Sequence, residues 1–268
     1  MTGLVVLTTT ELEVLEEAHL RTLGVQPPPR ESPTGSEEEA HHGAARREAA
    51  ASLVARGLTD PTGCLVERDD LGSLVATALD LRLASDRVVV LDRVIGPTGA
   101  GEEDLHGARL LHLSPAGVCV EDLDGSGLRG LGLLADPEDA VGIATAFLVP
   151  PDARDGAGEP FGAGPAPPGL MDFLRRPTVL AEVSLLVPEE DRSHLVEAHL
   201  LALGPQGCFR STRPAGPRDR GRPVRAVPVE GGGMRFAPVP TGWVGEWVGG
   251  VVRAMVAEES PREGTMAR

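Results

Sequence analysis

Residues Arg222–Ala257 read RPVRAVPVEGGGMRFAPVPTGWVGEWVGGVVRAMVA, and this stretch decides the fold. Its pattern predicts a strand through Val229, a glycine turn at 231–233 and a second strand through Phe236. A helix follows, because apolar residues then recur three or four positions apart, at Val244, Trp247, Val248, Val251 and Met255. We therefore expect a hairpin followed by a helix that buries one face.

A similar unit lies earlier in the chain, at Gly117–Val149. Its pattern predicts strands at Val118–Leu123 and Leu128–Leu134, a turn at 124–127, and a helix over Pro137–Val149. Laying the two units over each other without a gap pairs Leu133 with Phe236, Pro137 with Pro240, Val141 with Val244, and Gly142 with Gly245. These matches suggest an internal duplication, although two unrelated hairpins would also share turn glycines and a proline at the helix start.

The remaining chain predicts an α+β protein with two meander-plus-helix halves. A run of Pro, Gly and Ala separates them, so we divide the chain into residues 1–149, a linker at 150–170, and residues 171–268. At the start, Gly3–Leu7 favours a strand, and Thr10 with Glu13 has capping-box spacing for a helix that Gly24 ends. Residues 26–43, with three consecutive prolines and a triple glutamate, predict a loop.

Composition limits the possible partners. The chain has 40 acidic and 25 basic residues, a net charge of −15 and a pI near 4.9, which argues against a nucleic-acid partner. One arginine-rich stretch is expected to be a solvated loop, at Arg210, Arg213, Arg218, Arg220, Arg222 and Arg225. Three widely spaced cysteines, with no signal peptide or membrane span in the sequence, predict a cytoplasmic protein.

Catalytic and metal-binding motifs give little support for an enzyme. Asp122–Gly127 begins like a calcium loop, but Leu133 occupies the position where a bidentate glutamate is needed. His194 and His199 are five residues apart, with a glutamate between them. The two histidines of a zinc-binding helix must lie three or four residues apart to share one face, so we interpret these as surface or edge histidines. No hydrolase or nucleotide-binding motif occurs, so we predict neither a catalytic set nor a cofactor. If a cryptic metal site exists, Asp122, Asp124, His194 and His199 are the first residues to test.

Two tryptophans lie four residues apart in the last helix. Trp243 and Trp247 therefore share one helical face, and tryptophan is enriched in binding hot spots. The alternative is that both are core residues in a chain with only 3% aromatic residues. Of the two, Trp243 is the better candidate for partner binding, because it lies at the helix start.

The order of these motifs resembles the EspG family of type VII secretion-associated chaperones. The first strand and helix carry an LTxxELxVL pattern, an RGL-turn-DxxG segment follows, and the second half has a DxGR stretch and an AP step before the final helix. These residues are Leu7, Thr8, Glu11, Leu12, Val14 and Leu15; Arg56, Gly57, Leu58, Asp60 and Gly63; Asp219, Gly221 and Arg222; and Ala237 and Pro238.

The resemblance implies a non-enzymatic cytoplasmic chaperone or adaptor with a pseudo-twofold fold. Two antiparallel meander halves would form a central sheet flanked by helices, and the protein would bind the helical tip of a PE–PPE-type substrate before export. The resemblance assigns partner contacts to Glu102, Glu103 and Asp104 in one loop, and to Arg222 and Val224 in the second half. A general protein-interaction domain unrelated to secretion remains the alternative.

Overall fold

The computed structural model describes residues 2–26, 36–67, 69–96, 105–160, 177–189, 192–213 and 235–259. The strands are β1 (Thr2–Thr8), β2 (Arg87–Ile95), β3 (Leu105–Ser114), β4 (Gly117–Asp124), β5 (Leu128–Leu134), β6 (Val179–Glu189), β7 (Arg192–Gly204), β8 (Gly207–Arg213) and β9 (Ala237–Val239). The helices are α1 (Thr9–Thr22), α2 (Ser36–Ala55), α3 (Asp70–Leu83), α4 (Asp139–Leu148) and α5 (Trp243–Glu259).

The strands form one antiparallel sheet in the order β1-β5-β4-β3-β2-β6-β7-β8-β9. This order contains two four-stranded meanders, β2 to β5 and β6 to β9, and each meander is followed by a helix. The first strands of the two meanders pair with each other, from Val88 opposite Leu186 to Ile95 opposite Val179. The predicted α+β class with two antiparallel meanders is therefore confirmed.

By compactness the chain divides into two units. Unit 1 comprises Met1–Ala84 and Cys119–Leu133, and unit 2 comprises Ser85–Val118 and Leu134–Arg268. The sequence-based division at 1–149, 150–170 and 171–268 describes consecutive halves of the chain, and it stays a proposal.

Unit 1 packs α1, α2 and α3 around a leucine-rich core that includes Leu15, Leu53 and Leu79, each fully buried. The start of α1 corrects one prediction. The capping box uses Thr8 and Glu11, two residues earlier than expected: the Thr8 hydroxyl accepts from the Glu11 amide, and the Glu11 carboxylate accepts from the Thr8 amide. Glu11 is the better partner because its other carboxylate oxygen also accepts from the Ser52 hydroxyl at 2.6 Å.

Two further predictions about unit 1 can be compared with the structure. Gly24 follows the end of α1 with φ +73°, a left-handed conformation that glycine adopts without strain. The loop predicted over 26–43 is wrong from Ser36 onward, because α2 begins there. Alanine and glutamate are strong helix formers, and in this segment their propensity decides the structure.

In unit 2, α4 and α5 lie together on one face of the sheet. Arg109 of β3 donates to the carbonyl of Ile143 in α4 at 3.3 Å, and Arg87 of β2 donates to the carbonyl of Val251 in α5 at 3.2 Å. The two helices approach closely where α5 carries Gly245, since a Cβ there would lie 3.1 Å from the Thr145 hydroxyl of α4. The covered face holds the apolar core of this unit.

The structure reveals an internal repeat that is clearer than the one in the quoted stretch. Residues 108–117 read ARLLHLSPAG and residues 198–207 read AHLLALGPQG, identical at six of ten positions with a spacing of 90. The final glycines share a conformation as well, with φ +147° at Gly117 and +136° at Gly207, where β4 and β8 begin. The predicted pairing of Pro137 with Pro240, 103 residues apart, also recurs at the starts of α4 and α5. The Pro137 carbonyl accepts from the Ala140 amide, and the Pro240 carbonyl accepts from the Trp243 amide.

Most of the quoted hairpin, at 222–234, lies outside the described residues. The strand expected to end at Phe236 is instead β9 at Ala237–Val239, paired with β8. The helix is as predicted: the exposed fractions of Val244, Val248 and Met255 are 2%, 0% and 2%.

Candidate functional site

The start of α5 is anchored by the segment that follows α4. The Thr241 amide and hydroxyl both donate to Asp155 Oδ1, at 2.8 and 3.0 Å, and the Thr241 amide is the main reason that the pKa of Asp155 lies below its usual value. Next to it, the Gly156 amide donates to the Val239 carbonyl at 2.9 Å. Residues 153–156, inside the predicted linker, therefore fix the position from which Trp243 projects.

Trp243 and Trp247 meet a buried histidine beneath them. The two indole rings stack with centroids 6.1 Å apart and planes 18° apart. The His199 ring of β7 meets both rings edge-on, with centroid distances of 4.9 Å to Trp243 and 5.6 Å to Trp247. We call the residues Glu197, His199, Arg210, Trp243 and Trp247 the tryptophan–histidine array.

At one end of the array, the carboxylate of Glu197 has partners on both of its oxygens. The Trp247 indole Nε1 donates to Glu197 Oε2 at 3.1 Å. The other carboxylate oxygen, Oε1, lies 2.8 Å from His199 Nε2, an ion-pair distance without an aligned hydrogen bond. The Trp247 indole and the His199 imidazole therefore both hold Glu197, and they fix it at the Trp247 end of the array.

The other end of the array carries a cation. Arg210 of β8 places its guanidinium carbon 5.0 Å from the centre of the Trp243 ring, a cation–π contact. Arg210 lies opposite Leu201, two residues along β7 from His199, so the arginine and the histidine share the face that α5 covers. Trp243 and Arg210 are both half-buried.

His199 is held neutral at neutral pH. Only 1% of its surface is exposed, and burial lowers the pKa of its imidazole. Glu197 acts in the opposite direction, whereas the positive charge of Arg210 lowers the pKa further. Because Nδ1 has no hydrogen-bond partner among the described residues, the ring is held mainly by its contacts with the two indoles.

The predicted partner-binding residues have different outcomes. Trp243 is described, and it lies half-buried at the first position of α5, in contact with His199 and Arg210. Glu102, Glu103 and Asp104, and also Arg222 and Val224, lie outside the described residues. A role in partner binding stays a prediction for all six.

Two interpretations of residues in the array are wrong. His199 is neither a surface nor an edge histidine, because β7 lies between β6 and β8 and α5 covers this face. Arg210 is not in a solvated loop, because β8 extends to Arg213. The role of Glu197 in the array was not predicted, because its contacts depend on the register of β7. Alternation along HLVEAHLLAL places Glu197 and His199 on one face, and this was the only available signal.

The residues chosen for an alternative metal site fall on two strands of different units: Asp122 and Asp124 on β4 in unit 1, and His194 and His199 on β7 in unit 2. Asp124 accepts from the Ser126 amide and hydroxyl within the β4–β5 turn, and His194 is exposed on β7, away from the buried His199. In the part of the chain that the structure describes, no three His, Cys, Asp or Glu residues group as metal ligands. None of the described helices is long and apolar enough to span a membrane.

Comparison with known proteins gives a match at the level of structure. No family model matches the chain, and no curated protein matches its sequence. Among solved structures, the fold is similar to the Mycobacterium tuberculosis type VII secretion system chaperone EspG5 in complex with the PE25–PPE41 dimer. The TM-score is 0.54 at 12% identity, and the match covers 92% of this chain and 95% of that chain. The predicted resemblance is confirmed for the fold.

Proposed function

We propose that this protein is a cytoplasmic chaperone or adaptor that binds helical secretion substrates of the PE–PPE type before type VII export. The observation that carries the proposal is the fold likeness, which extends over nearly the whole of both chains, to a chaperone whose structure includes a PE–PPE dimer. Fold alone does not determine function, so the proposal also needs a surface suited to a protein partner.

The tryptophan–histidine array supplies such a surface in unit 2. Trp243 is half-buried, its ring is oriented by His199 and Arg210, and the segment at 153–156 anchors the helix that carries it. A large ring held in one orientation loses little conformational entropy when a partner covers it, which is why tryptophan is common in hot spots. The proposed role is binding and shielding of apolar helical surface, without catalysis.

Co-expression tests the proposal. The chain is produced with each PE–PPE pair encoded in its own genome, and a stable complex with at least one pair is expected after affinity and size-exclusion purification. Failure of every pair to co-purify, with both partners expressed, would overturn the proposal.

Substitution of Trp243 then tests the surface. Trp243→Ala is expected to raise the Kd of the complex by about 30-fold or more, the effect of a hot-spot truncation. Trp243→Phe, which keeps an aromatic ring, should retain most of the affinity. Val256→Ala is the matched control, because Val256 is exposed near the other end of the same helix. Equal affinities for all three variants would show that the array is not part of the interface.

A further inference from the structure

Arg210 differs from the other half-buried arginines because the described residues give it no anionic or carbonyl partner. Among the described residues these others donate either to carboxylates or to backbone carbonyls: Arg46, Arg82 and Arg129 to carboxylates, and Arg87, Arg93 and Arg109 to carbonyls. For Arg210 the described contact is the ring of Trp243, and its Nε is buried without a hydrogen-bond partner. Within the described part of an acidic chain, a half-buried cation without a carboxylate partner is unusual.

Two carboxylates close to the array, Glu197 within it and Asp155 before α5, are already held by other donors. Glu197 accepts from Trp247 on the opposite side of His199, and Asp155 accepts twice from Thr241. Moving either carboxylate to Arg210 would leave these donors unpaired. As far as the described residues go, the guanidinium of Arg210 is therefore available to a group from outside the chain.

The surroundings of Arg210 favour a carboxylate as that group. A guanidinium offers planar, paired donors that match two carboxylate oxygens, and such hydrogen bonds strengthen where water is excluded. The ring of Trp243 on one side excludes water from the guanidinium and presents apolar surface beside it.

Resting on the proposed function, we infer that the Arg210–Trp243 end of the array receives an acidic side chain of the bound helical partner. The carboxylate pairs with the guanidinium, and an apolar neighbour one helical turn away, at i+3 or i+4, packs against the Trp243 ring. The inference assigns a chemistry to the partner: a helix in which a glutamate or aspartate interrupts an apolar face.

The first test uses a PE–PPE dimer that co-purifies with the protein. Arg210→Gln is expected to raise the Kd at least about tenfold, because removing one member of a buried charge pair also leaves the other member unpaired. Arg210→Lys should lie between Arg210→Gln and the wild type, since lysine keeps the charge but loses the paired geometry. Arg253→Gln is the matched control, an exposed arginine on α5. Wild-type affinity in Arg210→Gln would overturn the inference.

The second test does not depend on a PE–PPE partner. It uses two helical peptides of about 20 residues that differ only in carrying glutamate or glutamine within an apolar face. Both tryptophans of the chain belong to the array, so their emission reports on this site alone. The glutamate peptide should change the emission at a concentration about tenfold lower than the glutamine peptide, and Arg210→Gln should abolish the difference.

The two tests separate the two proposals. If no dimer is recovered but the wild type discriminates between the peptides, the proposed function fails and the carboxylate site stands. If a dimer binds but the peptides act equally, or neither changes the emission up to about millimolar concentration, the carboxylate site is overturned and the chaperone role stands.

Discussion

Replacing His199 should change how the stability of the protein depends on pH. The imidazole is almost completely buried between two indole rings, and burial lowers its pKa below the usual value. In the unfolded chain the same ring titrates near its reference pKa of about 6.5. Below that pH the unfolded chain binds a proton that the folded chain does not, so protonation favours unfolding.

This difference in bound protons sets the sign and the size of the pH dependence of stability. Stability rises with pH wherever the unfolded state binds more protons, so the His199 contribution is lost as the pH falls from about 6.5 towards the folded-state pKa. A single proton limits the slope to about 1.4 kcal/mol per pH unit. Carboxylates titrate near pH 4, so between pH 5 and 7.5 the seven histidines dominate the slope, and the difference between a His199 variant and the wild type gives the part due to His199.

Urea unfolding followed by tryptophan emission measures this slope. His199→Gln should lower the free energy of unfolding at pH 7.5, because the ring contacts are lost. Between pH 5 and 6.5, the free energy of unfolding of this variant should depend less on pH than that of the wild type. His194→Gln is the matched control, since His194 is exposed on the same strand and its loss should preserve the wild-type slope. If His199→Gln keeps the wild-type slope, the ring is not held neutral by burial and the reasoning is refuted.

Packing and burial determine the outcome of three further experiments. Gly245→Val places side-chain atoms against the facing surface of α4, and thermal unfolding should show a loss of about 1–3 kcal/mol. Leu53→Ala removes a fully buried side chain from the unit 1 core, and urea unfolding should show a loss of about 2–5 kcal/mol. Iodoacetamide at pH 7.5 should alkylate the exposed Cys64 and spare Cys119 and Cys208, whose thiol pKa values burial raises to about 12 and about 11; peptide mass spectrometry reads the pattern.

Local sequence patterns predicted the elements better than the site. The helical spacing of Val244, Val248 and Met255 identified the buried side of α5, because apolar periodicity follows directly from the geometry of a helix. The capping box was placed two residues late because the run of three threonines offers several possible caps. Tertiary contacts of Glu11 with Ser52 and Arg56 favour Glu11 as the partner.

The array could not be predicted, because its residues come from three elements whose alignment is not encoded locally. His199 and Arg210 share a face only because Leu201 lies opposite Arg210, and a slip of one residue would turn the arginine to the other face. The sequence placed Trp243 and Trp247 on one face of α5 correctly. The histidine beneath them depends on how α5 lies on the sheet.

The repeat between residues 108–117 and 198–207 indicates whether the meander needs a cation at position 210 in order to fold. At the spacing of 90, His199 corresponds to Arg109, and Arg210 corresponds to Val120, which is 1% exposed. Arg109 donates to the Ile143 carbonyl and lies over the Phe147 ring, so the first copy satisfies its cation within the chain. The second copy has the same turn and the same leucines, but its cation is on the neighbouring strand, where the described residues supply no such acceptor. Since the first copy folds with an apolar residue at this position, the meander does not require a cation there, and the proposed external carboxylate would give Arg210 a role that packing does not.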